Sequence, residues 1–287
     1  MKKLLTKLCE TIFLVSAVVS VLSLLAIAVF MFIKGGPAIL EIGPWQFLTG
    51  KSWQPEADIY GILPMIIGSV YATLGAMIIG IPIGILTGIF LAEIVPDRVA
   101  NKLRPMVELM AGIPSVVYGF FGLVVIVPWI YSLGGPGNQG NSLLAAIIIL
   151  SVMVLPTIIN ITESSLRQVP RSYIEGSLAM GATKIRTIFG VQIRAAKSGI
   201  FSGVMLGIGR AIGETMAVLL VAGNTALIPT SLFSSVRTLT TNVALEMSYA
   251  FGLHEEALFA TGVVLFVLIM ILNVILYVSR GKAVGKE

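Results

Sequence analysis

The sequence predicts an all-α, polytopic membrane protein, and three observations predict it. Only 11% of the 287 residues are charged and 56% are hydrophobic, whereas about a quarter of a soluble domain is charged. The apolar residues gather in six long runs, at about 11–33, 61–92, 106–133, 142–162, 199–222 and 257–279. Basic residues collect in alternate connections between those runs. So few charges do not coat a water-facing surface, so most of the surface is expected to face lipid. Each run reaches the ~20 residues that a helix needs to cross hydrocarbon. No period-2 alternation points to a barrel strand.

The first run follows Lys2, Lys3 and Lys7, as an export signal would. Thr11 to Ile33 is 23 residues without a charge, and no small-x-small site closes it, so an uncleaved span is expected. Cys9 is the single cysteine, which excludes an internal disulfide. The second run carries Pro64 and Pro82 and is expected to tilt, kink or begin outside the hydrocarbon. The third and fourth are joined by a short Gly-rich turn, Gly134 to Asn141.

Two connections are long enough to hold structure of their own. In 163–198, Ile174, Leu178, Ile185, Ile188 and Phe189 give a helical periodicity broken at Gly181, which predicts helix, turn, helix. An amphipathic helix of this kind either lies on the lipid surface or fills a groove on a partner. In 223–256, Val236, Leu239, Val243, Met247, Ala250 and Phe251 recur at helical spacing and predict a second amphipathic helix. The two halves of the chain show no repeat.

Charge sets the expected orientation. Three basic residues precede the first run. Arg98, Lys102 and Arg104 lie between the second and third, six lie in 163–198, and Arg280, Lys282 and Lys286 follow the last. These are fifteen of the 19 Lys and Arg, all on one side. Lys34, Lys51 and Arg237 lie on the other, and Arg210 lies within a run. Both termini are therefore expected in the cytoplasm and the chain in the inner membrane. The net charge of +5 is topological, suited to anionic lipid head groups, and no nucleic-acid partner is expected.

Arg210 and Glu214 stand near the centre of the fifth run, four residues apart, where they would share a helix face and partly neutralise each other. A charge at mid-membrane costs about 2.5–3.5 kcal/mol on insertion scales and marks either a structural ion pair or a solute path. Gly203, Gly207, Gly209 and Gly213 around them allow close helix contact or leave room beside Arg210. Gly80, Gly84 and Gly88 in the second run read as packing. Tyr118, Asn160, Thr215 and Asn224 are further polar candidates, each also explained by an interhelical hydrogen bond.

No catalytic residue, metal site or cofactor is expected. His254 is the only histidine and, with Glu255 and Glu256, reads as a solvated loop cluster. No G-x-x-x-x-G-K-[ST] occurs, because Gly281-Lys282 is followed by Ala283 and lacks the upstream glycine.

The stretch Glu175-Gly-Ser-Leu-Ala-Met-Gly181, followed by Val191-Gln-Ile193, resembles the EAA loop of ABC-importer permeases, in which E-A-A, three residues, G and nine residues precede I-x-L-P. Glu175 and Gly181 match in residue and spacing. Gly176 and Ser177 stand for the alanines, Val191 and Ile193 for Ile and Leu, and Arg194 for the Pro. Ala111 to Gly119 and Gly209 to Ala217 resemble the phosphate permeases of the PstC type. The resemblance implies the type I importer permease fold in 61–287, with 1–60 an appended helix and outer connection. It implies a heterodimeric pore with a PstA-like permease, two cytoplasmic ATP-binding subunits and an extracytoplasmic phosphate-binding protein. By resemblance, Glu175, Gly176, Ser177, Leu178 and Gly181 dock on the ATPase. Arg210 and Glu214 fall on the family's charged fifth-span pair, with Thr215 beside them. A permease for molybdate or sulfate, an ion-coupled transporter or channel, and an intramembrane enzyme are the competing readings.

Overall fold

The computed structural model describes residues 2–135 and 138–284. Lys286 and two residues of the Gly134–Asn141 turn lie outside the described residues, as do the side chains of Lys2, Lys3, Arg280 and Lys282.

The chain opens with one long helix, α1 (Lys2–Ile42), which outruns its apolar stretch at both ends. A short helix, α2 (Pro44–Thr49), leads to an antiparallel hairpin of β1 (Trp53–Gln54) and β2 (Ile59–Tyr60), with Trp53 opposite Tyr60. Then α3 (Leu63–Ile89) runs on through a π turn, Phe90–Ile94. Pro64 sits in its first turn, where the missing N–H costs nothing, and Pro82 lies inside it.

The third apolar run departs from expectation. Residues 97–112 form a separate amphipathic helix, α4 (Asp97–Gly112), and the span itself is Ser115–Ser132 rather than 106–133. Pro114 disfavours helical backbone at the residue before it, and Ile113 is extended (φ −70, ψ 126). The span comprises α5 (Ser115–Phe121), a π turn (Gly122–Ile126) and α6 (Val127–Ser132). The fourth run is α7 (Leu143–Arg167), the most buried of the spans.

The 163–198 connection folds as its periodicity predicts. It holds α8 (Arg171–Ala179), a turn through Gly181 (φ +84), α9 (Lys184–Thr187) and a π turn, Ile188–Gln192. The chain continues directly into α10 (Ile193–Ile212), so Arg194 lies within a helix where a proline would stand.

The fifth run is not one helix. α10 ends at Ile212, and after Gly213, Glu214 and Thr215 the short α11 (Met216–Val221) begins. The 223–256 connection contains α12 (Leu239–Glu246), shorter than the periodicity suggested, and α13 (Leu253–Val284) closes the chain. Five stretches among the described residues are long and apolar enough to cross a membrane; 199–222 is broken and is not among them.

The core is α7 flanked by α3 and α10. Gly80, Gly84 and Gly88 let α3 lie parallel to α7: an added Cβ would fall 2.8 Å from Val154, 2.7 Å from Ile158 and 2.7 Å from Thr162. Gly203 and Gly207 seat α10 antiparallel on the same helix, against Ile161 and Ile158. These are small-residue contacts of the kind that hold helices together in lipid. α1 packs on α13, where a Cβ at Gly35 would meet the Ala260 backbone N at 2.5 Å. The bundle thus has a hairpin end, with 53–60 and α12, and a loop end, with α8 and α9.

Candidate functional site

The break in the fifth run falls at Glu214, just past Arg210, and leaves the two charges unpaired. The expected Arg210–Glu214 ion pair is absent, because the helix that would align them stops at Ile212. Glu214 instead caps the next helix: its Oε1 accepts from the Ala217 N–H at 3.1 Å, as acidic side chains do at helix starts. The Glu214 backbone N–H donates to the Ala211 carbonyl at 3.3 Å. The Glu214 carbonyl accepts from the Thr240 hydroxyl at 2.9 Å. Thr215 turns its hydroxyl to the Gly213 carbonyl at 3.4 Å, a weak bond at best.

Arg210 is half-buried, and among the described residues no carboxylate lies within ion-pair distance of it. Gly203, Gly207, Gly209 and Gly213 divide by role. Gly203 and Gly207 are packing residues, whereas a Cβ at Gly209 would touch nothing and one at Gly213 only the Gly209 carbonyl, at 3.4 Å. Arg210 therefore stands on an open face.

α11 lies along α5, where a Cβ at Gly119 would come within 2.8 Å of Ala217 Cα. Tyr118 next to it is buried and donates to the Met110 carbonyl at 2.8 Å, bridging the Ile113–Pro114 break. It also lies within electrostatic reach of Arg210. Two interrupted stretches, α5 and α11, thus meet side by side. Asn224 donates Nδ2 to the Leu219 carbonyl at 2.7 Å at the end of α11, while its Oδ1 is buried with no hydrogen-bond partner among the described residues. Asn160 is remote from these and lines a 490 Å³ cavity at the loop end with Arg104, Glu163 and Arg167.

That loop-end cluster was not anticipated. Glu163 is buried and accepts from Arg104 Nε at 2.5 Å and Arg167 Nε at 3.0 Å. Arg167 also donates to the Leu91 carbonyl at 3.3 Å. α4, α7 and the end of the second span are tied there. The i,i+4 spacing of Glu163 and Arg167 was the only local signal.

On the loop, Glu175 and Gly176 are exposed on α8. Ser177, in an alanine position of the EAA pattern, shares a 3.0 Å hydrogen bond with the Thr187 hydroxyl and so ties α8 to α9. Gly181 donates to the Leu178 carbonyl at 2.9 Å in the left-handed helix-ending turn that glycine favours. Tyr173 and Met180 are exposed on the lining of a 640 Å³ groove, and Leu178, Ile185 and Phe189 are exposed elsewhere on the same loop.

His254 does not lie in a solvated loop. It is on the first turn of α13, and its Nε2 is 2.9 Å from Glu246 Oε2. Buried Glu246 also accepts from Trp53 Nε1 at 2.8 Å and from Arg237 at 2.5 Å. Tyr60 stacks on His254, and burial, a bond to Asp58 and the Asp58 charge push its hydroxyl up to about 12. Trp53 and Glu246 are 193 residues apart, so no local pattern announces the cluster. Among the described residues no His, Cys, Asp or Glu group is suited to a metal ion.

The chain is similar to known proteins over most of its length. It is 41% identical, over 93% of its own residues and 89% of the relative, to a probable ABC transporter permease protein, YqgH, of Bacillus subtilis. It is 37% identical to the phosphate transport system permease protein PstC of Mesorhizobium japonicum, covering 85% of this chain and 83% of that one. Among solved structures, an inward-facing MetNI methionine ABC transporter matches with a TM-score of 0.62 at 18% identity, over 81% of this chain and 99% of its own. An amino acid ABC transporter matches with a TM-score of 0.52 at 16% identity, over 77% and 93%. Residues 80–282 match the model of the binding-protein-dependent transport system inner membrane component, and the chain belongs to that family.

Proposed function

We propose that this chain is a permease subunit of an ATP-driven importer and that it passes inorganic phosphate through the cytoplasmic membrane. Arg210 carries the reading: a cation in an apolar span, with no carboxylate partner among the described residues and open glycines beside it. Its planar donors match the oxygens of a tetrahedral oxyanion. Glu214, four residues on in the chain and committed to capping α11, leaves Arg210 unquenched, which suits a site that must release. The phosphate permeases among the relatives favour phosphate over molybdate or sulfate.

The family's name supports a binding-protein partner, and the ABC transporter names among the relatives and solved structures support ATP-binding partners. A PstA-like second permease completing the pore is our inference. The chain itself is no enzyme in this reading; ATP is hydrolysed on the partner. Glu175 to Gly181 is the part that meets it, with the exposed apolar side chains of α8 and α9 filling a groove. ATP binding and hydrolysis then rock the bundle between inward-open and outward-open states as a rigid body. The basic loop end faces the cytoplasm with both termini, and α10 with α11 counts as a sixth, interrupted span. Treating 1–60 as an appendage to the 61–287 unit is likewise our proposal, with the family match lying within that unit at 80–282.

The test is labelled phosphate uptake by cells lacking the chain and supplied with wild type, Arg210→Ala or Lys51→Ala at matched membrane levels. Arg210→Ala is expected to reduce uptake tenfold or more, the scale of about 1.4 kcal/mol, and Lys51→Ala to leave it intact. Equal uptake by the two variants would remove Arg210 from the path.

A further inference from the structure

The span-five break is held from outside its own helix. Among the described residues no backbone N–H is bonded to the Glu214 carbonyl; its donor is the Thr240 hydroxyl on the first turn of α12. α12 is itself fixed at both ends. At its start the Leu239 N–H donates to Ser69 Oγ of α3 at 2.9 Å, and Thr238 and Thr241 form a reciprocal cap. At its last residue, Glu246 takes Trp53 of the hairpin and His254 of α13 on one oxygen and Arg237 on the other. Arg237 in turn donates to Asn242 Oδ1 at 3.1 Å and to the Asn224 carbonyl, just past α11, at 2.8 Å. Glu246 lines an 810 Å³ cavity open at the hairpin end, with Glu56 on its rim.

We infer that α12 is a rigid strap and that Thr240 and Glu246 are positioning residues for the passage. Thr240 sets where Glu214, and with it the end of α10 that bears Arg210, stands. Glu246 fixes the far end of the strap. An eight-residue helix with both ends satisfied moves as a body, so a displacement at the Glu246 cavity reaches the break through one hydrogen bond. This rests on the proposed role of Arg210 and Glu214 in lining the phosphate path.

The test uses the assembled importer in membranes, with Cys9→Ser and a reporter Gly213→Cys. Gly213 is exposed, and a side chain there has only the Gly209 carbonyl nearby. The labelling rate of Cys at 213 by a water-soluble maleimide and the KM for phosphate uptake are measured together. Thr240→Val keeps the shape and removes the donor. We expect both readouts to shift about fivefold, the factor a single neutral hydrogen bond is worth, and Thr240→Ser to restore both. Glu246→Gln is expected to shift both, and Glu56→Gln on the same rim to shift neither. Unchanged labelling in Thr240→Val and Glu246→Gln overturns the strap whatever uptake does, and a change confined to Thr240→Val overturns the role of Glu246. Changed labelling with an unchanged KM keeps the strap and removes the break from the phosphate path.

Discussion

Glu246 accepts from three donors, an indole, an imidazole and a guanidinium, in a setting where its side chain is 8% exposed. A buried carboxylate is tolerated when its charge is neutralised and its lone pairs are filled. Removing it leaves Arg237, whose own side chain is only 17% exposed, without its counter-charge. Glu246→Ala is expected to cost about 3–5 kcal/mol, seen as a lowered midpoint in thermal unfolding of the purified complex. Glu56→Ala, an exposed residue of the same cavity, is expected to leave the midpoint in place. Arg210 is the opposite case. It stands in the fifth run with no carboxylate within ion-pair distance among the described residues, and that is why its loss is expected to act on transport.

The helices divide into those that are fitted and those that are presented. α3 and α7 are fitted: the contact exists because Gly84 has no side chain where Ile158 sits. Gly84→Val forces atoms into that space, and overpacking costs about 1–3 kcal/mol, so a lower membrane level is expected by immunoblot. Gly209→Ala meets nothing and is expected to insert normally. α8 is presented. Its Glu175 is exposed, as are Tyr173, Leu178 and Met180 beside it. Glu175→Lys is expected to leave insertion intact while ATP hydrolysis continues without matching phosphate uptake, measured on the reconstituted importer. Uptake and hydrolysis that stay in proportion would take α8 out of the coupling.

The molecule as a whole is polarised along the membrane normal. The loop end carries most of its cations, while the hairpin end carries the Glu246 cluster. A reporter enzyme fused after Glu56 is expected to read as external and one after Met180 as cytoplasmic. The reverse pattern would invert the orientation inferred from charge. α1 meets the bundle chiefly through α13, with edge-on ring contacts between Phe30 and Phe259 at 5.6 Å and Phe32 and Phe266 at 6.3 Å.

The sequence by itself determined the features that depend on local pattern. Apolar length marks the spans, glycine spacing marks the α3 packing face, and the break at Gly181 marks the α8–α9 turn, because each is set by neighbours within a few turns of one helix. The Ile113–Pro114 break was not read from the sequence, where 106–133 stood as one run, although a proline restricts the residue before it. Only the tertiary structure decided how polar groups were used. Glu214 could pair with Arg210 or cap the next helix, and both fit the same four-residue spacing. The choice fell to capping once Gly213 ended α10 and Thr240 took the Glu214 carbonyl. His254 looked solvated because Trp53 and Tyr60 come from a distant element and Glu246 reaches it from the preceding helix. Hydrophobic periodicity is a property of one helix, whereas a buried charge is settled by partners that the chain brings from elsewhere.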